Sequence, residues 1–162
     1  MERLRELIWY GVVLVVLFGA YHVATSYGIA LADREFGYMQ PTVEPGSMCF
    51  IDRRAGPGRA LEMYDVIAFE VYQKDKVKRF FGRVLAMPGS TVYVRTESKE
   101  KKLIVGGDEV ATAPKGLADL LRTGLIVPRD TVFVGFDRSD AKFPLSQRLV
   151  PYRNVIGRVM GK

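Results

Sequence analysis

The apolar positions of this chain fall into one long uninterrupted run followed by a series of short bursts. Residues 8–31 read Ile-Trp-Tyr-Gly-Val-Val-Leu-Val-Val-Leu-Phe-Gly-Ala-Tyr-His-Val-Ala-Thr-Ser-Tyr-Gly-Ile-Ala-Leu with no charged side chain. That is about 24 residues, or about 36 Å as helix, enough to cross a bilayer. Trp9 and Tyr10 at one end and Tyr27 at the other stand where interfacial aromatic belts occur. A buried core helix or a cleaved export signal would also be apolar, and Ala30-Leu31-Ala32 has the form of a cleavage box. The apolar region of such a signal is shorter, however, about 7–15 residues. The expectation is an uncleaved anchor over residues 1–32 and one domain over residues 33–162. His22, within the span, is either a neutral histidine packing or reaching toward the interface, or a proton-sensing group.

After a short polar joint at residues 33–37 the pattern changes to β. Residues 48–52, 65–72, 80–85, 91–94, 103–105, 131–134 and 155–159 are short runs rich in β-branched and aromatic side chains, separated by Gly, Pro, Asp and Ser. Gly106-Gly107 within residues 105–110 predicts a tight hairpin, since consecutive glycines supply the positive φ that such turns need. Residues 54–60 read as a glycine- and proline-containing loop, and residues 117–122 before Thr123-Gly124 as one short helix. The fold class expected is mainly β: a single N-terminal transmembrane helix, then an antiparallel barrel or sandwich.

Composition narrows the function classes. A chain of 162 residues with 48% hydrophobic side chains can bury one core. Its single cysteine, Cys49, excludes an internal disulfide framework and reads as a buried strand residue. The net charge of +6 would permit nucleic-acid or anionic-lipid binding. But Lys99, Lys101 and Lys102 are interrupted by Glu100, and Lys74, Lys76 and Lys78 alternate as on a solvated strand face. With no nucleic-acid motif beside them, no nucleic-acid partner is expected. No group of His, Cys or carboxylates has metal-ligand spacing, so neither metal nor cofactor is expected. Arg3 and Arg5 before the span and Arg34, Arg53 and Arg54 after it leave the membrane orientation open by charge alone.

The candidate chemistry lies in motifs. Tyr38-Met39-Gln40-Pro41-Thr42-Val43 and its continuation to Ile51 resemble Ser-Met-x-Pro-Thr-Leu-x-x-Gly-Asp-x-Val-x-Val of the type I signal peptidases, peptidase family S26. Tyr64-Asp65-Val66-Ile67-Ala68-Phe69 is similar to the family's Gly-Asp-Val-Val-Val-Phe strand, and Gly82-Arg83-Val84-Leu85-Ala86-Met87-Pro88-Gly89-Ser90 to Lys-Arg-Val-Val-Gly-Leu-Pro-Gly-Asp. Val105-Gly106-Gly107, Val127-Pro128, Asp137 and the segment from Val150 to Arg158 resemble the C-terminal boxes, with Ser146-Gln147-Arg148 nearest to a degenerate Asp-Ser-Arg. The resemblance implies a signal-peptidase type of β domain and serine-lysine chemistry, in which a neutral buried lysine takes the proton of the attacking serine.

At the positions that the resemblance assigns to nucleophile and base stand Tyr38 and Gly82. A phenol with a reference pKa of about 10 is a poor nucleophile without a base. Arg83 cannot substitute, because a guanidinium stays protonated. The position that helps build the oxyanion hole in many members is Phe36, which offers no hydroxyl. The alternative is a displaced dyad, Ser47 with Lys78, although that lysine stands four positions before the family's place at 82. Asp137, Arg138 and Asp140 read as an ion-paired turn or a charged pocket. A substrate strand would add to a sheet edge in a groove lined by Tyr38, Met39, Pro41 and Met87. The resemblance thus implies a single-pass protein of the plasma (inner) membrane with its soluble domain outside the cytoplasm. It would bind an exported or membrane protein substrate, such as a pilin, without cutting it. The competing expectation is an active endopeptidase using Ser47 and Lys78.

Overall fold

The computed structural model describes residues 2–32, 37–55, 61–73, 76–97, 100–112, 121, 123–138 and 143–161. Most of the expected joint (33–36), most of the loop after Ala55, nearly all of the expected helix at 117–122, and the residues Phe36, Lys74, Lys99 and Asp140 lie outside the described residues.

Helix α1 covers Glu2–Ser26, and its stretch Ile8–Ser26 is long and apolar enough to cross a membrane. Those 19 residues correspond to about 28 Å of helix, close to the thickness of a hydrocarbon core. The apolar run, read as helix through Leu31, changes conformation earlier: Tyr27–Leu31 form strand β1. The cause is tertiary. β1 pairs antiparallel with β2 (Met48–Asp52), from Tyr27 opposite Asp52 to Leu31 opposite Met48. Hydrogen bonds to a strand some twenty residues away outweigh continuation of the helix.

The remaining strands are β3 (Val66–Gln73), β4 (Lys76–Ala86), β5 (Thr91–Glu97), β6 (Glu100–Val105), β7 (Asp108–Thr112), β8 (Leu125–Ile126), β9 (Thr131–Gly135), β10 (Leu149–Pro151) and β11 (Val155–Val159). A four-residue helix, α2 (Leu145–Arg148), precedes β10, and a 3-10 turn over Tyr152–Asn154 precedes β11. One sheet has the order β1-β2-β11-β3-β4-β9-β10 and the other β7-β6-β5-β8, all antiparallel. Among the described residues no sheet closes on itself, so of the two expected architectures the sandwich is the one present. The seven runs read from the sequence are all strands, and Gly106 and Gly107, at φ 61° and 107°, make the expected β6–β7 hairpin turn.

β4 organises the core because both its faces are covered. Phe80, Gly82 and Val84 share one face by the period of two, and Phe80 and Val84 pack with Ile67, Phe69, Val132, Val134 and Phe143. Phe81 points the other way, into a cluster with Met39, Val43, Cys49 and Ile51. The β4–β9 register slips between Val84 and Ala86. Beyond the slip, Leu85, Ala86 and Phe133 meet Val92, Leu103 and Val105 of the second sheet, joining the two layers. Cys49 is buried in β2, as expected.

Candidate functional site

The segment from Gly37 to Ser47 is a turn laid across β4, and its orientation follows from which side chains are apolar. Met39 and Val43 are 3% and 4% exposed and sink into the cluster around Phe81, with Val43 N–H donating to the Met39 carbonyl at 2.8 Å. Tyr38 is thereby directed to the opposite side, half-buried against the cluster around Phe80. Its ring lies 5.4 Å from Phe136, 6.0 Å from Phe143 and 6.5 Å from Phe80 between centroids. Phe143 meets Phe80 and Phe136 edge-on at 5.0 and 4.7 Å, the geometry favoured by ring quadrupoles. Phe69 joins through Phe80 and Phe143, so position 38 is one member of a cluster of five described aromatic rings.

Gly82 faces this same side of β4, opposite Ile67 of β3. A Cβ at Gly82 would come within 3.1 Å of Phe69 Cε1, 3.2 Å of Val134 Cβ and 3.3 Å of the Gly135 carbonyl oxygen. The volume that a longer side chain would require is occupied by those residues. Between Tyr38 and the second cluster a cavity of only about 10 Å³ remains, lined among others by Ala32, Met39, Val43, Phe80 and Phe81, about the room of a single water. A larger groove of about 400 Å³ runs between β3 at Glu70 and Tyr72 and the segment from Ser146 to Pro151, and its lining includes neither Tyr38 nor Met87.

The turn is locked to β4 by a polar link centred on Arg83. The Arg83 fork donates from Nε to Asp137 Oδ1 at 3.0 Å and from Nη2 to Asp137 Oδ2 at 3.1 Å. Its Nη2 also reaches Thr42 Oγ1 at 3.1 Å, and its Nη1 the Tyr64 carbonyl at 3.1 Å. The Thr42 hydroxyl in turn donates to Asp137, and Arg138 N–H donates to the Tyr38 carbonyl at 3.1 Å. Asp137 is ion-paired, but with Arg83 of β4 rather than within its own turn, of which Asp140 lies outside the described residues. Thr42 of the motif and the arginine after Gly82 are therefore parts of one clamp that holds the turn carrying Tyr38 in place. In the sequence Arg83 was visible as a motif residue unable to act as base, but not as the centre of this link.

Arg148 was likewise visible only as the end of a degenerate box. It is 1% exposed, stacks its guanidinium over Phe136 at 4.9 Å and donates from Nε to the Phe143 carbonyl at 3.2 Å. Burial lowers the pKa of its guanidinium to about 10, which leaves it cationic at neutral pH. The aromatic cluster is thus backed by a positive charge but holds no amine at position 82.

The other candidate residues are dispersed. Pro41 is exposed at the tip of the turn, and Met87 is partly buried against the same cluster as Tyr38. Met39 belongs to the core on the far side. Ser47 lies at the entrance to β2, its hydroxyl donating to the Glu44 carbonyl at 2.7 Å. Lys78 is half-buried in β4 opposite Val71, and β11 and β3 intervene between β2 and β4 in the sheet. Among the described residues no group of His, Cys, Asp and Glu could hold a metal ion.

Fold and site together define an antiparallel two-sheet domain behind a helix able to anchor it in a membrane, with a Met-Gln-Pro-Thr turn clamped onto a central strand. A family model described as signal peptidase, peptidase S26, matches residues 5–160, and the chain belongs to that family. A search of curated proteins finds no match.

Proposed function

We propose that this protein is a membrane-anchored member of the S26 family that holds an exported substrate strand, such as a segment of a pilin, and does not cut it. The observation that carries this reading is that Tyr38 and Gly82, at the positions of nucleophile and base, are each closed in by apolar side chains. The phenol is packed among Phe80, Phe136 and Phe143, and the backbone opposite is closed over by Phe69 and Val134. Serine-lysine chemistry needs a hydroxyl and a desolvated amine within hydrogen-bond reach of one another. Position 38 supplies a phenol where a serine hydroxyl would stand, and position 82 supplies no amine. Binding makes fewer demands. An extended peptide adds to a sheet edge through its backbone hydrogen bonds and needs neither group.

The test is incubation of the detergent-solubilised full chain with a pilin or signal-peptide substrate, beside Ser47→Ala and Lys78→Ala variants and a photo-crosslinker at position 38 or 40. The expected result is a crosslink to one exported partner with no cleavage. Cleavage that Ser47→Ala abolishes would establish the displaced dyad instead.

A further inference from the structure

The groove of about 400 Å³ is lined by consecutive residues, Phe69 to Tyr72 on one side and Leu149 to Pro151 on the other. A groove across one face of a sheet would be lined by every second residue, so this one runs along strand edges. The phase of the backbone ladder shows what those edges offer. Val84 N–H donates to the Asp65 carbonyl at 2.8 Å, which makes Asp65 and Val84 a hydrogen-bonded pair at the start of the β3–β4 ladder. Counting by twos along the register, Ile67, Phe69 and Val71 turn their backbone groups to β4, while Glu70 and Tyr72 turn theirs away from it. β11 covers that outer side only as far as Val155, opposite Phe69. Among the described residues no strand stands beside Glu70 and Tyr72. The opposite wall is a poor partner for them. Tyr152 N–H donates to the Asp130 carbonyl at 2.8 Å, flanking the Pro151–Thr131 pair, so Pro151 is turned away from β9 and has no N–H to give.

We propose that this free edge of β3, at Glu70 and Tyr72, is where an extended segment of the exported client adds as a strand, continuing the line of β11 through the groove. The inference rests on the reading that the domain holds a client strand, and it assigns that strand to β3 rather than to the turn beside Tyr38, where only about 10 Å³ is open. Unmatched backbone donors and acceptors spaced two residues apart select a peptide in extended form. Phe69 and Val150 belong to one core cluster and Val71 packs against it, so the side chains that the segment turns inward are apolar. Glu70 and Tyr72 stand on the outer face by the period of two. Among the described residues Glu70 is the only charged member of the lining, so the outward side chains of the segment are neutral or basic and an acidic segment is disfavoured.

The test uses the detergent-solubilised full chain and a labelled synthetic signal-peptide segment as probe. A photo-crosslinker is placed at Ser146 in the groove wall, at Gln40 on the turn, or at Thr96 of the second sheet as control. Capture at position 146 and none at position 96 is the expected result. Tyr72→Pro removes the outward N–H while leaving the β4 ladder its bonds, and should weaken probe binding about tenfold relative to Tyr72→Ala, roughly the worth of one backbone hydrogen bond. A probe N-methylated at alternate residues removes the same bonds from the peptide's side and should lose affinity by a similar factor in the unsubstituted protein, whatever the proline does to folding. Capture at position 40 alone, equal capture at 146 and 96, or an N-methylated probe that binds undiminished overturns this inference and leaves the holding of a client intact. No capture at either 146 or 40 overturns both. A crosslink at position 146 between two copies of the chain in place of the probe identifies a second copy as the occupant and overturns the inference as well.

Discussion

Truncating Arg83 to alanine should destabilise the domain by about 2–3 kcal/mol. The side chain makes two parallel bonds to the Asp137 carboxylate at 3.0 and 3.1 Å, and one each to Thr42 and the Tyr64 carbonyl. Hydrogen bonds to a charged group contribute about 1.5–3 kcal/mol each when their loss leaves a buried partner bare. Here water partly replaces them: the two side chains are 26% and 16% exposed, between a surface pair, worth about 0–1 kcal/mol, and a buried one, whose rupture costs about 3–5. Intermediate exposure places the loss between those limits. A double-mutant cycle with Asp137→Ala isolates the pair and should return a coupling of about 1–2 kcal/mol. Arg83→Lys keeps the charge but loses the fork and should recover only part of the difference. Urea unfolding of the solubilised full chain, followed by near-ultraviolet circular dichroism of the aromatic cluster, gives each midpoint. A coupling below about 0.5 kcal/mol would refute the clamp, since Asp137 and Arg83 would then be neighbours without energetic connection.

Other perturbations test separate parts of the structure. Tyr38→Ala removes three ring contacts from a half-buried position and should cost about 2–3 kcal/mol in the same urea assay, whereas a side chain lying loosely on the surface would lose almost nothing. Gly82→Ala forces a methyl against Phe69, Val134 and the Gly135 carbonyl, so overpacking should lower stability by about 1–3 kcal/mol; a neutral effect would mean that the position has room for a longer side chain. At Gly157 an added Cβ would meet the Asp52 carbonyl oxygen and lie 2.6 Å from Ile51 Cγ2, so Gly157→Ala should unfold the β2–β11 contact, read as at least about 2 kcal/mol or as loss of soluble expression. Asp52 is held from 3.8 down to about 2, mainly by its hydrogen bonds from the Arg54 side chain. A carboxylate lowered in the folded state stabilises it above the unfolded pKa, and that contribution is lost as pH falls from about 4 to about 2. The urea midpoint should drop over that interval, and Asp52→Asn should flatten the drop.

Much of the architecture was legible because it is written in local pattern. The seven β-rich runs and the Gly-Gly turn were readable from alternation and turn chemistry. β8 and β10 were not, because two or three residues carry no period of their own and exist only by pairing with β5 and β9. β1 was hidden for another reason. Tyr-Gly-Ile-Ala-Leu is as apolar as the span before it, so only its partner distinguishes strand from helix. At the site, Tyr38, Gly82, Met39 and Met87 could be named in advance, but not that Tyr38 and Met39 face different cores.

What the amino-acid sequence determined by itself is covalent and local: a bilayer-length apolar run, the alternation of the strands, and the absence of a hydroxymethyl group at 38 and an amine at 82. Those facts need no partner to be true. The tertiary structure decided where the helix stops, which of two adjacent motif residues becomes core, and that Arg83 closes on an aspartate 54 positions away. Each of these is a competition between contacts separated widely along the chain, whose energies exist only once the strands have paired.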